Sequence, residues 1–142
     1  MRAALEQARL ALAAGEVPIG AIVVSNGEII GAAYNQPIAA SDPTAHAEVL
    51  ALRVAAAHIG NYRLTGASLY VTVEPCLMCV GASVHARVRE VVFGAVEPKS
   101  GALVSTVRGH EIAGLNHRFE VTGGVLEADC RDLIQQFFRA RR

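Results

Sequence analysis

Apolar and polar positions along this chain change from one period to another, and the changes mark its elements. Leu5, Ala8 and Leu12 recur at helical spacing as far as Gly15, which predicts an opening amphipathic helix packed on a sheet. Pro18 ends any continuation. Ile19 to Ser25 is a strongly apolar run. Asn26-Gly27 is a preferred two-residue hairpin turn, so Glu28 to Tyr34 is expected to return antiparallel beside that run. Asp42 can cap a helix and Pro43 suits its first position. A second helix is therefore expected from Pro43 to about Ala57, closed by the loop His58-Ile59-Gly60-Asn61-Tyr62. Ser68 to Val73 reads as a buried strand, Pro75 as the start of a third helix ending near Ala86, and Glu90 to Gly94 as another strand.

Strands that alternate with helices in this way require parallel crossovers, whereas the hairpin is antiparallel, so a mixed sheet is expected. Between Ala95 and Arg118 the pattern is broken by Pro98, Gly101, Gly109 and Gly114, and a segment of that length implies a function or hidden short structure. Phe119 to Thr122 is a short fifth strand. Gly123-Gly124 then turns the chain into a last helix, where Leu126, Cys130, Leu133, Ile134, Phe137 and Phe138 share one face.

At 142 residues and 52% hydrophobic content, residues 1–142 are expected to form a single domain around one buried core. Acidic and basic residues balance at 13 each, so binding to a polyanion can arise only from a local basic patch. Such a patch closes the chain, where Arg139, Arg141 and Arg142 follow Phe137 and Phe138. Three cysteines, two of them in one C-x-x-C pair, make no disulfide framework and point to a reducing compartment, the cytoplasm. No run approaches the length of a membrane-spanning helix.

The chemistry gathers at two helix openings. His46 and Glu48 are expected just inside the helix that begins at Pro43, and Cys76 and Cys79 on one face of the helix that begins at Pro75. A helix start favours a thiolate. Two thiolates and one imidazole bind zinc and leave its fourth position open to water, the arrangement of a catalytic site. The competing arrangement is a closed structural site with Cys130, His58 or His85 as fourth ligand, which leaves Glu48 without a role. His110 and His117, like His85, have no partner at motif spacing, and packing or surface roles are expected of them.

His46-Ala47-Glu48 followed by Pro75-Cys76-Leu77-Met78-Cys79 is the signature of zinc-dependent nucleobase deaminases. Several further segments resemble the bacterial tRNA-specific adenosine deaminases: Glu16 to Ala21, Asn35 to Ile38, Asn61 to Leu64, Val91 to Ala95, Lys99 to Ala102, Asn116-His117-Arg118 and the Phe137-Phe138-Arg139 tail. The resemblance implies a three-layer α/β/α fold with a five-stranded mixed sheet and a homodimer with one zinc per subunit. It also implies conversion of adenosine to inosine at the wobble position of a tRNA anticodon. In that family's terms His46, Cys76 and Cys79 match the zinc ligands, Glu48 the proton shuttle and Asn35 a residue that bonds the flipped nucleotide. The substrate-binding set expected on this basis is Asn35, Ile19, Ala47, Pro75, Glu97, Lys99, Phe138 and Arg139. Glu97 departs from the family, which is expected to carry Asp there, and its extra methylene moves a carboxylate that would lie beside the nucleic-acid backbone. Two other functions share part of this signature: a deaminase of free bases or nucleosides, and a zinc-bearing partner subunit without catalysis.

Overall fold

The computed structural model describes residues 1–142, and the hairpin fixes its first register. Strands β1 (Gly20–Ser25) and β2 (Glu28–Tyr34) pair antiparallel through Asn26 and Gly27, whose φ values of 52° and 76° are the left-handed pair that a tight hairpin turn demands. A bulge between Val23 and Val24 leaves Ile30 without a cross-strand partner. Strand β3 (Ser68–Val73) pairs antiparallel with β1. Strand β4 (Glu90–Ala95) pairs parallel with β3, and β5 (Glu120–Thr122) parallel with β4. The sheet order is β2-β1-β3-β4-β5, mixed as the sequence required.

Helices α1 (Arg2–Ala13) and α5 (Glu127–Arg139) cover one face, and α3 (Ala47–Ile59) and α4 (Leu77–His85) the other, which makes the three layers of a cytidine deaminase-like fold. Close approach of helix to sheet depends on two glycines. A Cβ at Gly20 would collide with Ala4 O and Ala8 N of α1, and one at Gly31 with Ala51 O of α3. The main core then closes around Val23, Leu64, Leu69, Val71, Val91, Phe93 and Leu103. No helix is long and apolar enough to cross a membrane.

Several boundaries differ from the sequence reading, each for a local reason. The second helix begins at Ala47 rather than Pro43, because the Asp42 carboxylate accepts the N–H and hydroxyl of Thr44, both at 2.8 Å, and closes a turn instead of capping a helix. That helix runs on to Ile59 and stops at Gly60, φ 76°. The third begins at Leu77, with Cys76 as its extended cap residue. A short helix α2 (Pro37–Ala40), not anticipated, opens with Pro37 at its first position. The unreadable segment holds a 3-10 turn at Gly109–Glu111. On α5 the expected face is buried at Cys130 and Phe137, but Phe138 is 47% exposed and lies off it.

Candidate active site

Both helices that carry metal-type donors begin with the donor itself. His46 and Cys76 are the cap residues of α3 and α4, with extended backbones (ψ 148° and 171°), and neither side chain caps its own helix. The Cys76 sulfur nonetheless draws the N–H of Cys79, and Glu48 that of its own backbone, so the positive ends of two helices meet where the donors converge. The sequence reading put His46 and Cys76 inside their helices; at the caps their side chains are free to turn toward one another.

His46 Nδ1 lies 3.6 Å from both Cys76 Sγ and Cys79 Sγ, and the sulfurs are 3.7 Å apart. A tetrahedral zinc with ordinary bond lengths has edges of about 3.8 Å between two sulfurs and about 3.6 Å between sulfur and nitrogen. The donor set fits that ion, and these three groups form a single cluster within 4.8 Å of one another. The closed four-ligand arrangement does not form. Cys130 is buried in a separate cluster with Leu5 and Ala95, while His58 and His85 are exposed at the far ends of α3 and α4.

The donors also set one another's protonation. A hydrogen bond from Cys79 draws the Cys76 thiol down to about 4 against its desolvation, with His46 adding to the effect. The same bond, together with burial, pushes the Cys79 thiol up. His46 is raised in turn by its hydrogen bond to Cys76. Glu48, in the first turn of α3 and 4% exposed, is pushed up to about 7, chiefly because burial penalises its charge. A carboxyl held near neutrality can take or give a proton at modest cost.

The remaining expected residues fall into two groups. Asn35 is 6% exposed and donates its backbone N–H to Ile19 O at 3.0 Å, leaving its side-chain amide without a protein partner. Its neighbour Gln36 donates to Ala45 O at 2.9 Å, which ties this segment to the residue before His46. Ala47 and Pro75 are fully buried and Ile19 partly so. Glu97, Lys99, Phe138 and Arg139 line a separate open cleft with Ile134, Arg141 and Arg142. Arg141 is laid over the Phe137 ring, 3.5 Å from its centroid. The other histidines have packing roles: His110 stacks on Phe119, and His117 Nε2 is 2.8 Å from Val88 O.

Two glutamates to which the sequence reading gave no role are buried beside this site. Glu16, 1% exposed, accepts the N–H of Ala39 at 2.7 Å and so holds the start of α2, just after Asn35. Glu74, 3% exposed, ends the strand that leads to Pro75. The available signal was an acid set between apolar residues, as in Val73-Glu74-Pro75, where burial demands a dedicated set of donors.

A three-layer sandwich whose two helix starts bring together a histidine, two cysteines and a buried glutamate has the form of a zinc-dependent nucleobase deaminase. The MafB19-like deaminase family matches residues 1–142. The tRNA-specific adenosine deaminase of Haemophilus influenzae is 49% identical over 143 residues, covering all of this chain and 83% of that protein. A solved structure from work on A-to-I editing by tRNA:A34 deaminases superposes with a TM-score of 0.91 at 41% identity, covering 94% of this chain and 96% of that one. A guanine deaminase from Nitrosomonas europaea superposes with a TM-score of 0.81 at 28% identity, covering 94% and 80%. The chain belongs to the tRNA-specific adenosine deaminase family.

The donor geometry predicts that purified protein binds one zinc ion. Cys76→Ala or Cys79→Ala should each lose most of it, because two remaining donors hold zinc poorly, whereas Glu48→Ala should keep it. Metal analysis after dialysis decides this, and full zinc content in both cysteine variants would assign the ion to other donors.

Proposed function

We propose that this protein hydrolyses adenosine to inosine at the wobble position of a tRNA anticodon, with zinc held by His46, Cys76 and Cys79 and protons carried by Glu48. The observation that carries the reading is a buried carboxyl held near 7 beside a three-donor cluster. Zinc in such a cluster makes water acidic enough to act as a nucleophile near neutral pH. Glu48 takes a proton from the attacking water and gives it to the ring nitrogen beside the amino-bearing carbon, then carries a second to the departing amine. The C–N bond breaks, a C–O bond forms, and ammonia leaves. The positive ends of α3 and α4 offer favourable potential to the charge that develops.

The target base has to leave its stack to reach this site. Asn35, with its amide free, is suited to hydrogen-bond that base, and Ile19, Ala47 and Pro75 to wall it. The cleft of Glu97, Lys99, Phe138 and Arg139 suits the flanking nucleotides. It sets Lys99, Arg139, Arg141 and Arg142 against the single acid Glu97 in a chain of zero net charge. An uncharged free base has no use for that concentration of cations, which argues against a deaminase of free guanine or cytosine. A buried Glu48 argues against a subunit without catalysis. The cytoplasm, being reducing, suits three free cysteines.

Purified protein is expected to convert an adenosine-wobble anticodon stem-loop to inosine while leaving free adenosine and free cytidine unchanged, and Glu48→Ala should abolish the reaction. Turnover of free nucleosides at a comparable rate would replace this reading with the free-base one. Truncation after Phe138 removes three cations, so the log-affinity against log-salt slope for stem-loop RNA should flatten by up to about 2. An unchanged slope would leave the tail as solvated helix end. We further propose a homodimer, because Leu77 and Met78 on α4 and Val104, Val107 and Ile112 in the segment after β4 are exposed apolar side chains that a second copy would cover. Sedimentation as a monomer at micromolar concentration would remove that proposal.

A further inference from the structure

The strand that delivers the cysteine helix ends in a carboxylate wrapped by a distant loop. Glu74 follows the last residue of β3 and precedes Pro75. Its Oε1 accepts the N–H of Glu97 at 3.1 Å and the hydroxyl of Ser105. Its Oε2 accepts the N–H groups of Leu103, Val104 and Ser105 at 3.1, 2.9 and 3.0 Å. Every one of these donors is neutral, and all come from residues 97–105. Gly101 completes the enclosure, since a Cβ there would collide with the Glu74 carboxylate carbon and both oxygens. Ala102 N–H donates to Pro75 O at 2.8 Å, which ties the same loop to the residue before Cys76.

Two anchors order this loop, its buried centre and the Glu74 carboxylate. Within it only Gly101, Ala102 and Leu103 are buried, while Pro98, Lys99, Ser100, Val104 and Ser105 are exposed. Ala102 and Leu103 anchor the middle of the loop in the main core, and the hydrogen bonds to one carboxylate define the path of the exposed stretches on either side. That path carries Glu97 and Lys99. The Glu97 carboxylate accepts the N–H of Lys99 at 2.8 Å, and Gly101 N–H bonds Glu97 O at 2.8 Å, so both residues belong to the wound segment.

We propose that Glu74 is a positioning residue for substrate: by holding residues 97–105 from the strand end that leads into Cys76, it fixes the Glu97–Lys99 side of the RNA cleft relative to the metal cluster. The proposal rests on the deaminase reading of the site and adds a residue that touches neither metal nor base. Its carboxylate cannot be replaced by an amide, because a glutamine would point N–H groups at a loop that offers only donors.

The test uses zinc-loaded full-length protein carrying Glu74→Gln, with Ser105→Ala as a milder variant that removes one of the five hydrogen bonds. Amide exchange at Glu97, Leu103, Val104 and Ser105 should accelerate by about tenfold or more in Glu74→Gln, with the β1, β3 and β4 amides at their wild-type rates. For an anticodon stem-loop, KM should rise about tenfold with kcat within about threefold and zinc content unchanged. Ser105→Ala should shift both readouts the same way by about threefold. Wild-type exchange at the four amides, or a loosened loop with unchanged KM in an otherwise active enzyme, overturns the role of Glu74 alone. A wild-type protein inactive on the stem-loop overturns the functional reading and this proposal with it. If Glu74→Gln does not fold, Ser105→Ala decides, and unchanged exchange and KM there overturn the proposal.

Discussion

Two helices whose cap residues each carry a donor side chain, with the His46 nitrogen 3.6 Å from the Cys76 sulfur, set the terms for the rest of this molecule. The parallel pairing of β3 with β4 makes α4 a crossover that has to start at the end of β3, which brings Cys76 and Cys79 to that edge of the sheet. The Asx turn at Asp42 delays α3 until His46, which places the imidazole 3.6 Å from both sulfurs. Had α3 begun at Pro43, His46 would lie within its first turn, bound to a helical backbone. Extended cap geometry is what lets His46 and Cys76 face each other.

Three glutamates are buried in this fold, and their hydrogen-bond partners separate their environments. Glu74 receives four backbone N–H groups and a hydroxyl. Burial pushes its pKa up, but the hydrogen bonds outweigh burial and the net shift is downward, as befits a permanent anion that organises backbone. Glu16 is likewise met by N–H groups, from Ile38 and Ala39. Glu48 has no such cradle. Its own backbone N–H and the Cys79 thiol bond the carboxylate but do not offset burial, and its pKa is pushed up to about 7. One residue type is thus held as an anion or left near neutrality according to how many donors the fold supplies.

Charge is arranged on the same local principle. A net charge of zero conceals a cleft in which Lys99 from one loop meets Arg139, Arg141 and Arg142 from the end of the chain. The stacking of Arg141 on Phe137 fixes one of these cations against α5 at the cleft. Fields of this kind act within about a Debye length, so the placement of four cations matters more than the total for the chain.

The sequence by itself determined the hairpin, the order of strands and helices, the mixed sheet and the identity of the donors, because these rest on local periodicity, turn chemistry and spacing. Asn26-Gly27 dictates its turn whatever surrounds it, and Cys76 and Cys79 are neighbours in any helix start. Tertiary structure decided the rest. Gln36, from another segment, bonds Ala45 O and ties down the residue before His46. The path of residues 97–105 has no periodicity to read, since its hydrogen bonds run to Glu74, more than twenty residues away. The meeting of Lys99 with Arg139 joins two stretches that no local pattern connects. Local rules specify what each segment is, and long-range hydrogen bonds and sheet register specify which segments meet.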